Sequence, residues 1–321
     1  QPRQSRLAGL PLWLIYLALL GAVTLPLLLQ NPLFERSLEP SAALLDLYDG
    51  IEALDPGLPV LVAFDYDPSS SDEMNVLARA VVGHLFERGI RVVAVTLQPA
   101  GFQVAQSLLE EVAAGQPGAR YDNAGYLSGG ASAIRLLGQG LGPALLQQFQ
   151  TLPPVDLTSE QGITSLEGFG MLVVLTAEQE GLRVWIEQAG ALQGAPLAAA
   201  VSASTEPFAT SYYETDPRLI LGLVAGLPGA AAYETHRSDE GALPDGVAAR
   251  LDALLAGHAV FVLVLVVGKE INGAKRWLNF LGTPVQPSEF AKLATVLALA
   301  VIVGASAWVL ERRVRGVEVV T

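Results

Sequence analysis

The feature that most restricts the fold of this chain is a series of four short apolar runs. The segments between these runs have the spacing of apolar residues that is typical of helices. Each run is short and mostly apolar, as in strands that are buried on both faces of a sheet. Strands that alternate with helices at this spacing predict a doubly wound, mainly parallel α/β sheet. The predicted strands are 59–64 (PVLVAF), 90–97 (IRVVAVTL), 170–176 (GMLVVLT) and 196–202 (PLAAAVS), and the predicted helices are 72–88, 102–114, 131–149, 182–191 and the small-residue stretch 218–233.

Three apolar segments outside this region predict membrane attachment. Residues 7–30 carry no charge, and at 1.5 Å per residue they are long enough to cross a bilayer. A retained anchor is favoured over a signal peptide, because the apolar core is long and no small-residue cleavage site is evident. Segments 253–268 and 290–310 are the other predicted spans, although 253–268 also suits a buried element of the preceding domain.

The predicted fold class is therefore an α/β domain with an N-terminal transmembrane helix and a C-terminal membrane hairpin. The predicted domains are the anchor 1–30, the α/β domain 31–250 and the membrane region 251–321, with 234–250 as a linker. Arg3 and Arg6 precede the first span, so the positive-inside rule predicts a cytoplasmic N-terminus and an external α/β domain.

Charge restricts the partners of this chain. The formal net charge is −13, and residues 31–250 contain 10 Arg against 27 Asp and Glu. Nucleic acid is excluded as a partner, because phosphate contacts need a basic face. The sequence has no cysteine, which excludes disulfides, thiol nucleophiles and cysteine-ligated zinc.

All three lysines of the protein lie in one loop, residues 268–292 (GKEINGAKRWLNFLGTPVQPSEFAK). Asn272-Gly273 is a turn pair, and Ser288 can cap the helix that follows. Lys275 and Arg276 flank Trp277, a combination that is common at membrane–water interfaces.

The runs NGAKRWL (272–278) and QPSEFAKL (286–293) resemble the hairpin between the third and fourth membrane helices of the SEDS family, the peptidoglycan polymerases of cell division and rod shape. The resemblance implies that Arg276 and Lys292 lie near a polar cavity for the lipid-linked precursor. In that family about ten spans and a catalytic aspartate on a later loop are needed, and this chain has room for neither. We therefore expect no polymerase activity from the isolated chain.

The first candidate site follows the strand 59–64, where Asp65-Tyr66-Asp67 and three serines including Ser69 lead into a helix. This segment could hold a divalent metal or a phosphate. It is similar to the first motif of haloacid-dehalogenase-type phosphotransferases, which use one aspartate as nucleophile and the other as acid–base. A polar turn that caps a helix is the alternative, because this region lacks the lysine that such enzymes need.

The second candidate is YDNAGYLSGG (121–130), which contains Asn123, Gly129 and Gly130 ahead of a predicted helix. Glycines let backbone N–H groups approach an anion, but the segment lacks the GxGxxG spacing and also suits an ordinary capping turn. The third candidate is 202–213 (SASTEPFATSYY), with Glu206. If the loops converge, Asp65, Asp67, Asn123 and Glu206 form one acidic pocket.

Nucleophilic and histidine-metal chemistry have little support. His84, His236 and His258 lie in separate elements, and none follows a predicted strand. No cofactor is expected, apart from a divalent metal at Asp65 and Asp67.

The main functional prediction is a non-enzymatic, membrane-anchored α/β domain that binds a protein partner or small ligand in a membrane assembly. The alternative is a component of lipid-linked peptidoglycan precursor handling. The expected partners are the lipid bilayer and other membrane proteins, in a bacterial or archaeal cell membrane. Residues 31–250 also faintly resemble a group of membrane-anchored α/β proteins, through YDNAGYLSGGASAI and LILGLVAGLPGAAAYE.

Overall fold

The structure is a computed structural model. It describes residues 38–138, 165–189 and 195–238, together with 21, 24, 25, 250–253, 255 and the backbone of three strands within 269–285. The chain divides into two compact units, Arg36–Val247 and a second unit of Gln1–Glu35 with Ala248–Thr321. The sequence predicted three domains, with boundaries at residues 30 and 250. This finer division is not tested by the two units and stays a prediction.

Helices and strands alternate along the first unit. Strands β1, β2, β4 and β5 lie where the apolar runs predicted them, within one or two residues at each end. The elements in order are α1 Ala42–Glu52, β1 Val60–Asp65, α2 Ser71–Glu87, β2 Val92–Thr96, α3 Gly101–Ala114, β3 Tyr121–Tyr126, α4 Ala131–Gly138, a 3₁₀ turn Leu166–Gly168, β4 Met171–Thr176, α5 Gln179–Ala189, β5 Leu197–Val201, α6 Glu206–Tyr213, β6 Leu223–Ala225 and α7 Gly226–Arg237.

The six strands form one parallel sheet in the order β3-β2-β1-β4-β5-β6. The chain winds outwards from β1 to β3 and then returns to place β4 beside β1. The strand order therefore reverses between β1 and β4. In open α/β sheets the crevice outside the carboxyl ends of the strands at this switch point is the usual place for a ligand.

Both faces of the sheet are buried. Alternate residues of β1 point to opposite faces, and all six of them are buried. One face contributes Leu61 and Ala63 to a core that also contains Trp185 of α5. On the other side, helix α2 contacts α3 and α7. Burial of both faces explains why the sequence shows uninterrupted apolar runs rather than alternation.

Four helices and strands of this unit escaped the sequence analysis. Helix α1 begins at the N-cap Ser41, whose hydroxyl accepts from the N–H of Leu44. Strand β3 begins with two half-buried residues, Tyr121 and Asp122. Strand β6 has three residues only and lies inside the stretch 218–233 that was predicted to be helical. Helix α6 lies in the segment 202–213 that was predicted to be a loop. Helix α7 continues to Arg237, so the first four residues of the predicted linker 234–250 are helical.

The predicted fold class is wrong in its membrane parts. Within the described residues, no helix is both long enough and apolar enough to cross a membrane. The N-terminal transmembrane helix and the C-terminal membrane hairpin are therefore not retained in the fold class. The predicted spans 7–30, 253–268 and 290–310 fall almost wholly outside the described residues.

The described backbone between the predicted spans 253–268 and 290–310 forms a small antiparallel sheet. Strand β8 (Ala274–Phe280) pairs with β7 (Lys269–Ile271) and with β9 (Thr283–Val285). Ile271 pairs with Ala274, and the intervening dipeptide is Asn-Gly, which favours tight turns between antiparallel strands. The preference of Asn-Gly for such turns agrees with the antiparallel pairing of β7 and β8.

Candidate functional site

The carboxyl edge of the sheet at the switch point is occupied by protein side chains. Asp65 ends β1, and its side chain is 1% exposed. Its Oδ1 accepts from the N–H of Leu97 at 2.6 Å, and its Oδ2 accepts from the indole N–H of Trp185 at 2.5 Å. Both oxygens of this carboxylate therefore have protein donors.

Burial controls the ionisation of Asp65. Loss of water around the carboxylate raises its pKa to about 6, and the hydrogen bonds from Leu97 and Trp185 oppose this rise because they stabilise the charged form. A carboxyl with a perturbed pKa at a switch point is a usual candidate for catalysis. In this structure the buried carboxylate of Asp65 instead links the end of β1 to Leu97 after β2 and to Trp185 of α5.

The ends of β2 and β4 lie on either side of Asp65. Thr96 and Thr176 are both fully buried, and each hydroxyl accepts from the backbone N–H two residues later. Helices α3 and α5 approach these threonines at glycines. A Cβ atom on Gly101 would lie 2.3 Å from Thr96 Oγ1, and one on Gly181 would lie 2.8 Å from Thr176 Oγ1. Helices α3 and α5 therefore pack directly against the ends of β2 and β4.

Asp67 and Ser69 form a local turn in front of α2. Asp67 Oδ1 accepts from the backbone N–H of Ser69 at 2.9 Å and from its hydroxyl at 2.6 Å. The serine hydroxyl is the main cause that lowers the pKa of the Asp67 carboxyl. This hydrogen-bond pattern is typical of an aspartate turn, and it matches the capping alternative for the first candidate site.

Asn123 and the two glycines belong to the framework around β3. The amide of Asn123 donates to the Phe102 carbonyl and to Gln106 of α3, each at 3.1 Å, and so joins the strand to that helix. Gly129 and Gly130 have φ of 114° and 54°, which allows the sharp turn into α4. These contacts serve the fold and leave the Asn123 amide bound to protein acceptors.

Glu206 lies apart from these residues. It begins α6 and lines an open groove of about 540 Å³ between α1, α6, β6 and the start of α7. Asp65, Asp67 and Asn123 do not line this groove. This groove thus contains Glu206 without the other three predicted side chains.

Metal binding has no geometric support in the described part of the chain. No group of three or more His, Asp or Glu side chains there is close enough to share a metal ion. The divalent metal at Asp65 and Asp67 stays an untested prediction.

A buried polar cluster between α1, α2 and α7 was missed at the sequence level. His84 is 1% exposed and contacts the Tyr233 hydroxyl through Nδ1 at 2.7 Å and Glu52 through Nε2 at 2.8 Å. Tyr48 stacks on its ring at 4.6 Å. Burial is the main cause that lowers the pKa of His84, and it raises that of Tyr233 well above the usual value. The members are far apart in sequence, so no local pattern predicts the cluster.

The candidate lipid-contact residues belong to the other unit. Arg276 lies in β8, and Lys292 lies outside the described residues.

Comparisons with known proteins match the C-terminal segment. Residues 249–320 match the family described as "Cell cycle protein", the FtsW, RodA and SpoVE family. A probable peptidoglycan glycosyltransferase FtsW from Halomonas elongata is 51% identical over 49 residues, which cover 15% of this chain and 12% of that protein. The proteins of the same name from Thiomicrospira cyclica and Hydrogenovibrio crunogenus are 50% identical over 46 residues, 14% of this chain and 12% of each relative.

No solved structure gives a significant match to the chain. The matched segment spans about an eighth of the length of these curated relatives. The SEDS resemblance found in the sequence is confirmed: the C-terminal segment of this chain resembles part of the FtsW, RodA and SpoVE family.

Proposed function

We propose that this protein takes part in the handling of lipid-linked peptidoglycan precursors during cell division or cell-shape maintenance, at the cell membrane. The match of residues 249–320 to the FtsW, RodA and SpoVE family carries this proposal, together with about 50% identity to probable peptidoglycan glycosyltransferases. The match favours the alternative from the sequence analysis over a domain that only binds a partner.

The proposed contact with the precursor is the segment 268–292. Lipid-linked precursors carry a pyrophosphate, and this segment contains four of the chain's cations, Lys269, Lys275, Arg276 and Lys292. Among them, the resemblance assigns Arg276 and Lys292 to the substrate cavity. Hydrogen bonds between a cation and a phosphate oxygen are stronger than neutral ones, so these two side chains can hold the anionic group.

The α/β unit has a binding role in this proposal, without a reaction of its own. Two observations support that role. At the switch point both oxygens of Asp65 accept from protein donors, and the described surface beside Glu206 is an open groove lined by α1, α6 and β6. The unit's carboxylates would repel an anionic precursor, so the precursor contact is assigned to the other unit.

Lipid binding by the full chain tests the proposal. The parent protein, Arg276→Ala and Lys292→Ala are titrated with lipid II and with phosphatidylglycerol. A charge-assisted hydrogen bond contributes about 1.5–3 kcal/mol, so each substitution is expected to weaken lipid II binding about tenfold or more. Binding of phosphatidylglycerol should change little, because that lipid lacks the pyrophosphate.

Lys275→Ala is the matched control, since it removes the same charge from the residue beside Arg276. It should leave lipid II binding within a few-fold of the parent. Equal affinity for both lipids in all four proteins contradicts the proposal, because it reduces the segment to a general contact with anionic membranes.

A further inference from the structure

The groove of about 540 Å³ described above combines an apolar floor with an acidic wall. Its floor is formed by Leu44 of α1 and by Leu223 and Val224 of β6. Small residues, Ala203 and Gly229 among them, leave space above this floor. Its acidic residues are Glu39, Glu206 and Glu214, and no Lys, Arg or His lines it.

Among the described residues, the three glutamates have no cationic partner. Within the described residues, none of their carboxylates takes part in a salt bridge. The described arginines of this unit are bound elsewhere. They are Arg79, Arg88, Arg91, Arg183, Arg218 and Arg237, which pair with other carboxylates, Arg120, which donates to the Gly89 carbonyl, and Arg135, which donates to Gln188. Among the described residues, no cation neutralises the carboxylates of the groove.

The helix dipoles explain only part of this charge. Glu206 lies in the first turn of α6, and Glu39 precedes the N-cap Ser41 of α1, so both are at helix ends that favour anions. Glu214 is the C-cap of α6, where the dipole disfavours an anion. Arg218 is near in sequence, but it donates to Asp46 at 2.7 Å and lies over the Tyr213 ring. Folding of α6 alone does not account for a carboxylate at this position.

Two of the three glutamates lie on the same side of α6, along the groove. Glu206, Thr210 and Glu214 are spaced four residues apart, so they lie on one face of the helix. A partner in the groove would place apolar side chains on the floor and cations along this row. Helices with an apolar face bind such grooves through side chains at helical spacing.

We propose that this groove binds an apolar, basic helical segment of a partner protein. The charge of the groove is complementary to lysine and arginine, and it excludes an anionic lipid precursor from the same surface. The proposal is independent of the precursor contact, which involves different residues in the other unit.

Binding of a defined peptide to the full chain tests this inference. The probe is a fluorescein-labelled amphipathic helical peptide of leucine, alanine and lysine, followed by fluorescence anisotropy. A second peptide has glutamate at every lysine position. The lysine peptide is expected to bind and the glutamate peptide is not. Since binding depends on charge, the affinity of the lysine peptide should also fall as salt is added.

Substitutions in the groove should weaken this binding. Each exposed ion pair contributes little to binding, so the three substitutions Glu39→Gln, Glu206→Gln and Glu214→Gln are combined in one variant. This variant is expected to bind the lysine peptide about tenfold more weakly than the parent. Thr210→Trp, which fills the groove without a change of charge, should weaken it as well. The matched control is a protein with three exposed glutamates neutralised elsewhere, Glu110→Gln, Glu167→Gln and Glu187→Gln.

Several results would overturn the inference. They are the absence of lysine-peptide binding, equal binding of the two peptides, and equal loss of binding in the groove variant and the control variant. Full binding by Thr210→Trp would show that the peptide meets surface charge rather than the groove. Competition by spermidine at the peptide's own concentration would assign the groove to free polyamines instead of a protein segment.

Discussion

The hydrogen bond from Trp185 to Asp65 gives the sharpest prediction for the α/β unit. Trp185→Phe keeps an aromatic ring in the core but removes the indole N–H that Asp65 Oδ2 accepts at 2.5 Å. A hydrogen bond to a charged group contributes about 1.5–3 kcal/mol, against about 0.5–1.5 kcal/mol for a neutral pair. The variant should therefore lose more stability when Asp65 is ionised than when it is protonated.

The pH dependence follows from the pKa of Asp65. Burial raises it from 3.8 to about 6, and at 1.36 kcal/mol per unit the ionised form costs the folded state about 3 kcal/mol at neutral pH. Because the folded protein holds this proton more tightly, the contribution of Asp65 to stability increases as the pH falls from about 6 to about 4. Above about pH 6, where Asp65 is ionised in the folded protein, the full free-energy cost of burying its charge is present. Trp185→Phe should raise the pKa further.

Two measurements test the predicted pH dependence of the Trp185→Phe variant. Urea unfolding followed by circular dichroism compares the parent and Trp185→Phe at pH 7.5 and pH 5, and the packing lost with the smaller ring is common to both conditions. Carbon-13 NMR of the Asp65 carboxyl gives its pKa directly. Trp277→Phe controls for the loss of a tryptophan in the other unit. An equal loss of stability at both pH values, with an unchanged pKa of Asp65, would refute the reasoning.

Three further predictions concern the α/β unit. Asp65→Asn should cost less stability in urea at pH 7.5 than at pH 5, because the amide loses one acceptor, worth about 1–3 kcal/mol, but at pH 7.5 it also removes the buried charge; an equal loss at both pH values would contradict this. Gly222→Ala should prevent stable folding, since its Cβ would lie 2.3 Å from the backbone nitrogen of Leu47, whereas Gly83→Ala should be tolerated by circular dichroism. Burial lowers the pKa of His84, so its contribution to stability should be lost as the pH falls below about 6.5; His84→Gln should remove that loss.

The sequence predicted the centre of the sheet better than its edges. Strands β1, β2, β4 and β5 are buried on both faces, so their apolar runs stand out from the helices around them. Strand β3 lies at the sheet edge, contains Gly125 with a φ of 97°, and pairs with β2 through a register shift. Its polar residues therefore suggested a loop. Strand β6, with three residues, is too short for a periodic signal.

The sequence predicted that Asp65 lies at the end of a strand, but it did not predict the side chains that contact Asp65. Topology places Asp65 at a strand end, and the apolar run before it made that position clear. Its donor Trp185 is 120 residues away in sequence, and nothing local indicates that the two side chains meet. The same holds for His84 and Tyr233, separated by 149 residues. Contacts of this kind depend on how helices pack, which a single sequence does not specify residue by residue.

The central claim is that the C-terminal segment, rather than the α/β unit, contacts the lipid-linked precursor. Photocrosslinking of the full chain with a lipid II analogue, followed by mass-spectrometric mapping of the labelled peptides, tests it most directly. We predict labelling within residues 249–320, reduced by unlabelled lipid II and not by phosphatidylglycerol. Labelling confined to residues 36–247, or labelling that phosphatidylglycerol removes as well as lipid II does, would contradict the claim.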